Sequence, residues 1–248
     1  MKKAIFYPSL FLLMFWFFTA RSQNVALGIQ GGLSIPNLTA GGSNVTPLNK
    51  GYSSRLGLDF GINAEFKISS VFSIQPQLEY SSQGGQKNGP QALPDPNPQG
   101  PPYLYATYNS TAKLNYLLVP ILAKFGWDFK GSPLRFFVDA GPFLGYRLSA
   151  TQVTSGSSLV YADAAETEPT SQTPQNFNAS TDISNQIHHA NWGIEGNIGL
   201  IYKLTKSYLF IEAGGNYGFR NIQINPADGD NNTGAATVQV GYSFWLSK

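Results

Sequence analysis

Apolar and polar residues alternate with a period of two along most of the chain, and this pattern constrains the fold more than any other feature. Between residues 55 and 68 every second residue is apolar, from Leu56 to Ile68, whereas Asp59, Glu65 and Lys67 occupy positions between them. Successive side chains of a strand point to opposite faces of its sheet. The period therefore indicates a strand with one apolar face and one polar face.

Eight segments carry this pattern or are compatible with it. Seven of them alternate clearly, whereas 111–125 is apolar on both faces in its middle, so its periodicity does not separate a strand from a buried helix. Pro120 and the neighbouring β-branched residues Val119 and Ile121 favour a strand. The eight predicted strands are 24–35, 55–68, 72–83, 111–125, 134–148, 192–203, 208–221 and 236–247.

The connections between these segments alternate between long and short. The short ones are 69–70, 128–133 and 204–207; the long ones are 36–52, 84–110 and 149–187, followed by a medium one at 222–235. Long and short connections therefore lie at opposite ends of the sheet. This arrangement is typical of outer-membrane barrels, which have short periplasmic turns, long extracellular loops and both chain ends in the periplasm.

Composition supports a membrane protein without a spanning helix. Charged residues make up 12% of the chain, whereas soluble domains usually contain about 25%, and no apolar run after residue 22 approaches the ~18 residues of a membrane helix. A sheet spans lipid only when it closes and loses its edges. We therefore predict an all-β fold, an eight-stranded antiparallel transmembrane up-and-down β-barrel over residues 23–248, with the outer-membrane lipid bilayer as its surroundings.

Two soluble folds remain as alternatives to this barrel. One is a β-sandwich, although a sandwich has no reason to sort its loops by length. The other is a periplasmic lipocalin-like binder of apolar ligands. That binder requires the inverted arrangement, in which Leu58, Phe60 and Ile62 face an internal cavity and the charged residues face water.

The N-terminus has the features of a signal peptide. Lys2 and Lys3 precede an apolar stretch that ends at Ala20-Arg21-Ser22, which predicts cleavage before Gln23 and a signal peptide over 1–22. A retained transmembrane helix is the alternative, and Pro8 favours cleavage. Removal of residues 1–22 takes three of the 16 basic residues, leaving 13 against 14 acidic ones. A nearly neutral mature chain gives no support for a nucleic-acid partner.

The side chains expected inside the barrel carry both signs of charge. We therefore predict a paired polar plug and no open pore. Aromatic residues near strand ends are predicted to form the two interfacial girdles of a membrane barrel. The inward charged set is Arg55, Asp59, Glu65, Lys67, Glu79, Asp139, Arg147, Glu195, Glu212 and Arg220, and the girdle set is Tyr80, Tyr116, Tyr146, Trp192, Tyr202, Tyr208, Tyr217 and Phe244.

With the strands placed, the chain resembles the PorT-like outer-membrane β-barrel family over essentially all of 23–248. The run Tyr116-Leu117-Leu118-Val119-Pro120-Ile121-Leu122-Ala123-Lys124-Phe125 is similar to that family's Tyr-Leu-Glu-Ile-Pro-Leu-Leu-Leu-Lys-Tyr strand, and 140–146 and 241–244 add shorter similarities. Leu118 departs from the family, which usually has an acidic residue there. The resemblance implies the fold and the outer-membrane location, and some members are similar to components of a secretion and gliding apparatus, so an envelope protein complex is a possible partner.

No residue is assigned a catalytic, cofactor-binding or metal-binding role, because no motif of that kind occurs and the chain contains no cysteine. His188 and His189 are the only histidines, and Asp182 and Glu195 lie near them in the sequence. Adjacent strand residues face opposite sides, so at most one histidine faces the interior. We expect them to be surface residues of the rim. A surface hydrolase or acyltransferase that uses them is the alternative.

The long connections are the expected recognition elements. The segment 84–110 is rich in Pro and Gly, whereas 149–187 is rich in Ser, Thr and Asn and contains Asp163, Glu166 and Glu168. Tyr103, Tyr105 and Tyr108 are candidate contacts for a glycan, a partner or another surface ligand. The other interpretation is that both segments are solvated mobile loops. We expect a non-enzymatic scaffold or accessory subunit that recognises partners through its outer loops.

Overall fold

A computed structural model describes residues 25–246, most of which lie in antiparallel strands. The predicted signal peptide at 1–22 lies outside the described residues. The eight long strands are β1 Val25–Ala40, β2 Gly57–Lys67, β3 Phe72–Pro94, β4 Tyr103–Asp128, β5 Leu134–Ser155, β10 Ala190–Lys203, β11 Ser207–Gly218 and β12 Asn231–Trp245. Four short strands lie between β5 and β10, namely β6 Ser157–Ser158, β7 Val160–Tyr161, β8 Gln175–Asn176 and β9 Ala179–Asp182.

The long strands pair in a ring. Each pairs antiparallel with the next in chain order, from β1–β2 through β5–β10 to β11–β12, and β12 pairs with β1. The register is continuous at the junction of the chain ends, where Leu27 lies opposite Phe244 and Leu33 opposite Val238. Each long strand therefore has two hydrogen-bonded neighbours, which satisfies the backbone groups that a sheet edge would leave free.

The two faces of this ring differ as the alternation predicts. Leu58, Phe60 and Ile62 are 60%, 51% and 56% exposed on the outer face, whereas Asp59 and Asn63 are buried inside. The lipocalin-like alternative is therefore wrong, because its apolar residues would have to face inward. Six of the predicted girdle residues are exposed or half-buried on the outside. Tyr116 and Tyr208 are not, because both lie inside the ring, 0% and 3% exposed.

The strands extend beyond the alternating segments at the end where the long connections lie. Pairing between β3 and β4 continues from Phe72 opposite Phe125 to Pro94 opposite Tyr103. The prediction that 84–110 is a loop is therefore wrong, since only residues 95–102 connect the two strands. The apolar belt is the band of exposed apolar residues on the outer face of the ring, such as Leu58, Phe60 and Ile62. Beyond this belt neither face of a strand needs apolar residues. The strand pairing therefore continues where the alternation of apolar and polar residues has ended.

The long-loop end is built from four segments that we call the crown, residues 41–56, 84–111, 149–189 and 219–230. They are joined by backbone pairing, because Ser53 pairs with Gln86 and Ile187 with Gln223. The four short strands lie within the predicted long connection 149–187, where β9 pairs with the end of β5. The opposite, short-turn end has connections of only a few residues, at 68–71, 129–133 and 204–206.

Three short 3-10 helices occur in the crown, at Pro47–Asn49, Ser184–Gln186 and Pro226–Asp228. Within residues 25–246 no helix has the length and apolar character needed to cross a membrane.

Candidate functional site

A layer of acidic side chains occupies the middle of the ring interior. Six carboxylates are 5% exposed or less, and each lies on an inward position of a long strand. We call them the carboxylate layer: Asp59, Glu65, Glu79, Asp139, Glu195 and Glu212. Burial of one unpaired carboxylate is costly. Six of them in one layer therefore form the most unusual electrostatic feature of the molecule.

One lysine lies in this layer, and sequence reasoning missed it. Lys124 Nζ lies 3.7 Å from Glu65 Oε2, donates to Gln75 Oε1 at 2.8 Å, and stands 4.1 Å from the ring centre of Phe137. Glu65 also accepts hydrogen bonds from Ser73 and from the Tyr208 hydroxyl, at 2.7 and 2.5 Å. The sequence neighbours of Lys124 are apolar. Only the alternation, extended through 111–125, identifies Lys124 as an inward residue.

The prediction that the inward charges form oppositely charged pairs is wrong for most of them. Lys124 and Glu65 form the only ion pair between buried partners among the described residues. The predicted inward cations lie elsewhere, since Arg55 donates to Gln83 O and Arg147 to Ser184 O. These arginines lie towards the crown, so they occupy a different level of the interior from the carboxylate layer.

Several carboxylate oxygens of the layer have no hydrogen-bond partner. Both oxygens of Glu212 are unpartnered, as is one oxygen each of Asp59, Asp139 and Glu195. The amide of Asn197 partly compensates, because its nitrogen donates to Asp139 Oδ1 at 3.0 Å and to Glu195 Oε1 at 3.3 Å. Gln30 similarly donates to Glu79 Oε1 at 2.7 Å. Neutral amides and hydroxyls, rather than cations, therefore make most side-chain contacts to these carboxylates.

Apolar clusters lie on both sides of the carboxylate layer. The apolar cap on the crown side comprises Leu38, Ala112, Leu114, Tyr116, Leu118, Phe143, Ala150, Ile183, Ile187 and Ile222. The base cluster at the short-turn end comprises Ala26, Phe137, Ile201, Tyr208 and Phe210. The large side chains fit because glycines face them. A Cβ on Gly193 would approach Phe143 to 2.7 Å, and one on Gly199 would approach Phe137 to 2.5 Å.

A cavity of ≈ 160 Å³ lies in the crown, above the apolar cap. Its lining includes Lys87, Tyr52 and Tyr108. Lys87 is 7% exposed, its Nζ donates to the carbonyl oxygen of Leu48, and it stands 4.3 Å from the ring centre of Tyr52. Asp228 also lines the cavity but forms no ion pair with Lys87. Lys87 is therefore a buried cation without a carboxylate partner.

Burial changes the ionisation of the groups in this cavity. Burial lowers the pKa of Lys87 from 10.5 to about 8, since the charged ammonium loses hydration. Burial, assisted by the neighbouring Tyr108, raises the pKa of Tyr52 to about 12. Burial also raises the pKa of Tyr108. Near pH 7 the Lys87 ammonium is therefore mostly protonated, and the phenols of Tyr52 and Tyr108 are neutral.

Three of the glutamines that line this cavity each make a hydrogen bond through the amide nitrogen. The amide nitrogens of Gln91, Gln152 and Gln223 donate to Tyr108 O, Ser110 Oγ and Asn231 Oδ1 at 2.7, 3.0 and 3.3 Å. These bonds fix the amide orientation and leave the side-chain oxygens as acceptors. The other face of the Tyr108 ring is supported by Phe177, with ring centres 4.4 Å apart and planes 8° apart.

The histidines do not come together with carboxylates. His189 Nδ1 lies 3.1 Å from an Arg147 nitrogen, whereas no described carboxylate forms an ion pair or hydrogen bond with either ring. Burial, with the nearby Arg220 and His189, lowers the pKa of His188. The predicted neighbour Glu195 lies instead in the carboxylate layer. No group of three or more His, Asp or Glu within 25–246 is arranged to hold a metal ion.

The acidic residues of 149–187 have local roles. Asp163 accepts from the backbone N–H groups of Thr167 and Glu168, at 3.0 and 2.7 Å, and these bonds lower the pKa of Asp163. Glu166 accepts from the Thr107 hydroxyl at 2.8 Å, which joins this segment to the β3–β4 hairpin. These carboxylates therefore support the conformation of the crown. Of the three predicted contact tyrosines, Tyr108 lines the cavity, and Tyr105 pairs with Tyr161.

A ring of antiparallel strands with an apolar outer belt and a polar interior is the architecture of outer-membrane β-barrel proteins. The family model described as outer membrane protein beta-barrel domain matches residues 21–223. The chain belongs to this family, and its location is the bacterial outer membrane.

Three solved structures are among those to which the chain is similar. Neisserial surface protein A is 13% identical with a TM-score of 0.40, and the match covers 89% of this chain and 99% of that one. Ail of Yersinia pestis is 11% identical with a TM-score of 0.38, at 89% and 99% coverage. The N-terminal β-barrel domain of Pseudomonas aeruginosa OprF is 13% identical with a TM-score of 0.34, at 90% and 98% coverage. No curated protein matches the sequence.

Proposed function

We propose that the eight long strands form a closed barrel that spans the outer membrane, with the crown outside the cell and both chain ends in the periplasm. Residues 1–22 are the cleaved signal peptide, and 23–248 form one barrel domain. The apolar belt supports this arrangement, because exposed residues such as Phe60, Ile198 and Val240 require lipid. The short connections at one end agree with the periplasmic turns of such barrels.

We propose that the protein is a non-enzymatic scaffold or accessory subunit of a cell-envelope assembly and that the crown is its recognition surface. The observation that carries this proposal is the interlocking of the crown segments by strand pairing, since an ordered surface binds a partner with little loss of conformational entropy. The apolar cap and base cluster argue against a conducting role, because both separate the polar interior from water. Membership of the PorT-like group within the family is part of this proposal.

The absence of cysteine from the chain allows a direct test of the orientation. Gln99→Cys lies in the exposed link 95–102 of the crown, and Lys130→Cys lies exposed in the short turn 129–133. A membrane-impermeant maleimide applied to intact cells should label Gln99→Cys and should label Lys130→Cys only after the outer membrane is permeabilised. The reverse pattern would contradict the proposed orientation.

The recognition role is tested by purification in mild detergent. We expect a stoichiometric partner to accompany the wild-type protein and to be lost when 95–102 is replaced by a glycine-serine segment of equal length. The same replacement of 129–133 is the matched control and should retain the partner. A partner that stays bound to the crown variant and is lost from the control would show that recognition occurs at the periplasmic end.

A further inference from the structure

We propose that the crown cavity around Lys87 binds an acidic sugar unit, with the carboxylate of the sugar at the Lys87 ammonium and its hydroxyls at the glutamine oxygens. This inference rests on the proposed function, because it requires the crown to face the exterior. It names the ligand class that the recognition surface would take.

The cavity contains a cation that lacks a countercharge. Lys87 is buried, and its ammonium contacts a backbone carbonyl and the ring of Tyr52. An aromatic ring and a carbonyl stabilise an ammonium ion only partly. Asp228 lines the same cavity, but it forms no ion pair with Lys87. A ligand that brings a carboxylate would supply the missing countercharge and form a charge-assisted hydrogen bond.

The lining of the cavity also contains neutral polar side chains. The side-chain oxygens of Gln91, Gln152 and Gln223 are acceptors whose orientation is already fixed by the donors on the same amides. Acceptors of this kind require a ligand that donates hydrogen bonds. Hydroxyl groups donate, whereas a simple ionised carboxylate offers only acceptors. The cavity therefore fits a molecule with several hydroxyls and one acid group.

The size and shape of the cavity match one sugar ring. A cavity of ≈ 160 Å³ has room for about five water molecules at roughly 30 Å³ each, which is comparable to one six-membered sugar ring. Tyr52 and Tyr108 supply flat apolar surfaces beside the polar groups, and Tyr108 is held in place by its stacking on Phe177. Aromatic faces are suited to the C–H surfaces of a sugar ring, so one sugar unit, rather than an extended chain, is the expected occupant.

The test is calorimetric titration of the full-length protein in detergent with D-glucuronate, D-glucose and acetate at pH 7. We expect glucuronate to bind and the other two probes to bind at least about tenfold more weakly, because each satisfies only part of the site. Equal affinity for glucose and glucuronate would overturn the role of Lys87. The absence of glucuronate binding would overturn the site.

Two variants separate a local effect from a loss of folding. Lys87→Gln keeps a donor for the Leu48 carbonyl but removes the charge, and it should weaken glucuronate binding about tenfold. Lys113→Met removes one exposed positive charge from β4, two residues beyond the crown segment 84–111, and should leave glucuronate binding unchanged. A Lys87→Gln protein that binds as tightly as the wild type would contradict the proposal.

The outcome is distinguishable from that of the proposed function. If Gln99→Cys is labelled from outside and a partner co-purifies, but glucuronate does not bind, only the sugar site is overturned. If glucuronate binds but Gln99→Cys is not labelled in intact cells, the site stands and the orientation of the barrel is overturned.

Discussion

The two buried lysines of the described chain lie in regions with opposite charge balance. Lys124 lies among the six acids of the carboxylate layer, 3.7 Å from Glu65, whereas Lys87 lies in the crown cavity without an ion-pair partner. The apolar cap separates the two regions. In the carboxylate layer, Lys124 is one cation among six carboxylates. In the crown cavity, Lys87 is a cation that forms no ion pair with a carboxylate. The comparison suggests that the layer is a structural feature, whereas the crown lysine is available to a ligand.

The largest expected effect comes from breaking the separation between the two regions. Tyr116 is fully buried in the apolar cap, so Tyr116→Ala should lower the free energy of unfolding by about 3 to 5 kcal/mol, as other buried aromatic truncations do. Urea unfolding from lipid vesicles measures the change, followed by the fluorescence of the three tryptophans that remain after removal of residues 1–22, namely Trp127, Trp192 and Trp245.

Tyr116→Phe is the matched control. The Tyr116 hydroxyl has no hydrogen-bond partner, so its removal should leave stability unchanged or raise it by about 1 kcal/mol. A Tyr116→Phe loss as large as that of Tyr116→Ala would mean that the hydroxyl, rather than the ring, is essential to the cap.

A smaller loss is expected from removing the cation of the layer. Lys124→Met leaves Glu65 and its neighbours without a countercharge, which should cost about 3 kcal/mol in the same unfolding measurement. The double variant Lys124→Met, Glu65→Gln should recover most of this loss, because it removes the charge that the first change left unpaired. Failure of Glu65→Gln to restore stability would place the importance of Lys124 in its packing against Phe137 instead.

Glu212→Gln should change stability in the opposite direction. Both Glu212 oxygens lack partners and the layer holds five further acids, so neutralisation at constant volume should stabilise the protein by about 1 kcal/mol. Gln239→Glu, which adds an acid on the opposite β12 position in the same interior, should destabilise it. Destabilisation by Glu212→Gln would indicate that the Glu212 carboxylate has a cationic partner in the folded protein.

The effect expected at Lys87 depends on pH. Its folded-state pKa of about 8 lies below the ordinary 10.5, so the unfolded chain binds more protons between these values and wild-type stability rises with pH there. Below pH 8 both states are protonated, and the cost of the buried charge is fully present. Neighbouring Tyr52, with a pKa raised to about 12, stays neutral across this window.

Lys87→Met should therefore remove this pH dependence. The stability of the variant minus that of the wild type should be most positive at pH 7 and should shrink as pH rises to 10.5. Urea unfolding at pH 7, 9 and 10.5 measures the difference, and Lys113→Met is the control that should show no such trend. A difference in stability that stays constant across this pH range would mean that burial does not lower the pKa of Lys87.

The sequence predicts the strands better than it predicts the interior. Alternation depends only on whether a side chain faces lipid, so it identifies β2 and β5 directly, and the paired strands confirm both. The level of a side chain along the barrel axis depends on strand stagger, which the sequence does not encode locally. Arg147 and Glu195 are both inward, yet they lie at different levels, and the expected pairing of charges is therefore wrong.

The segment 111–125 shows why an ambiguous pattern can carry information. It is apolar on both faces because its outward residues face the belt while Leu114, Tyr116 and Leu118 form the apolar cap inside. The cavity at Lys87 could not be predicted, since it combines residues from all four crown segments. The only signal in the sequence was a lysine in a Pro/Gly-rich region that was expected to be a loop.

The β3–β4 hairpin has a mechanical consequence. Above the apolar belt, β3 continues from Ser82 to Pro94 while still paired with β4. At about 3.3 Å per residue and a tilt of about 40°, the tip stands roughly 30 Å above the belt. A load applied at the tip passes along a continuous hydrogen-bonded ladder into the wall of the barrel. A partner held there would be coupled stiffly to the membrane, with no compliant tether between them.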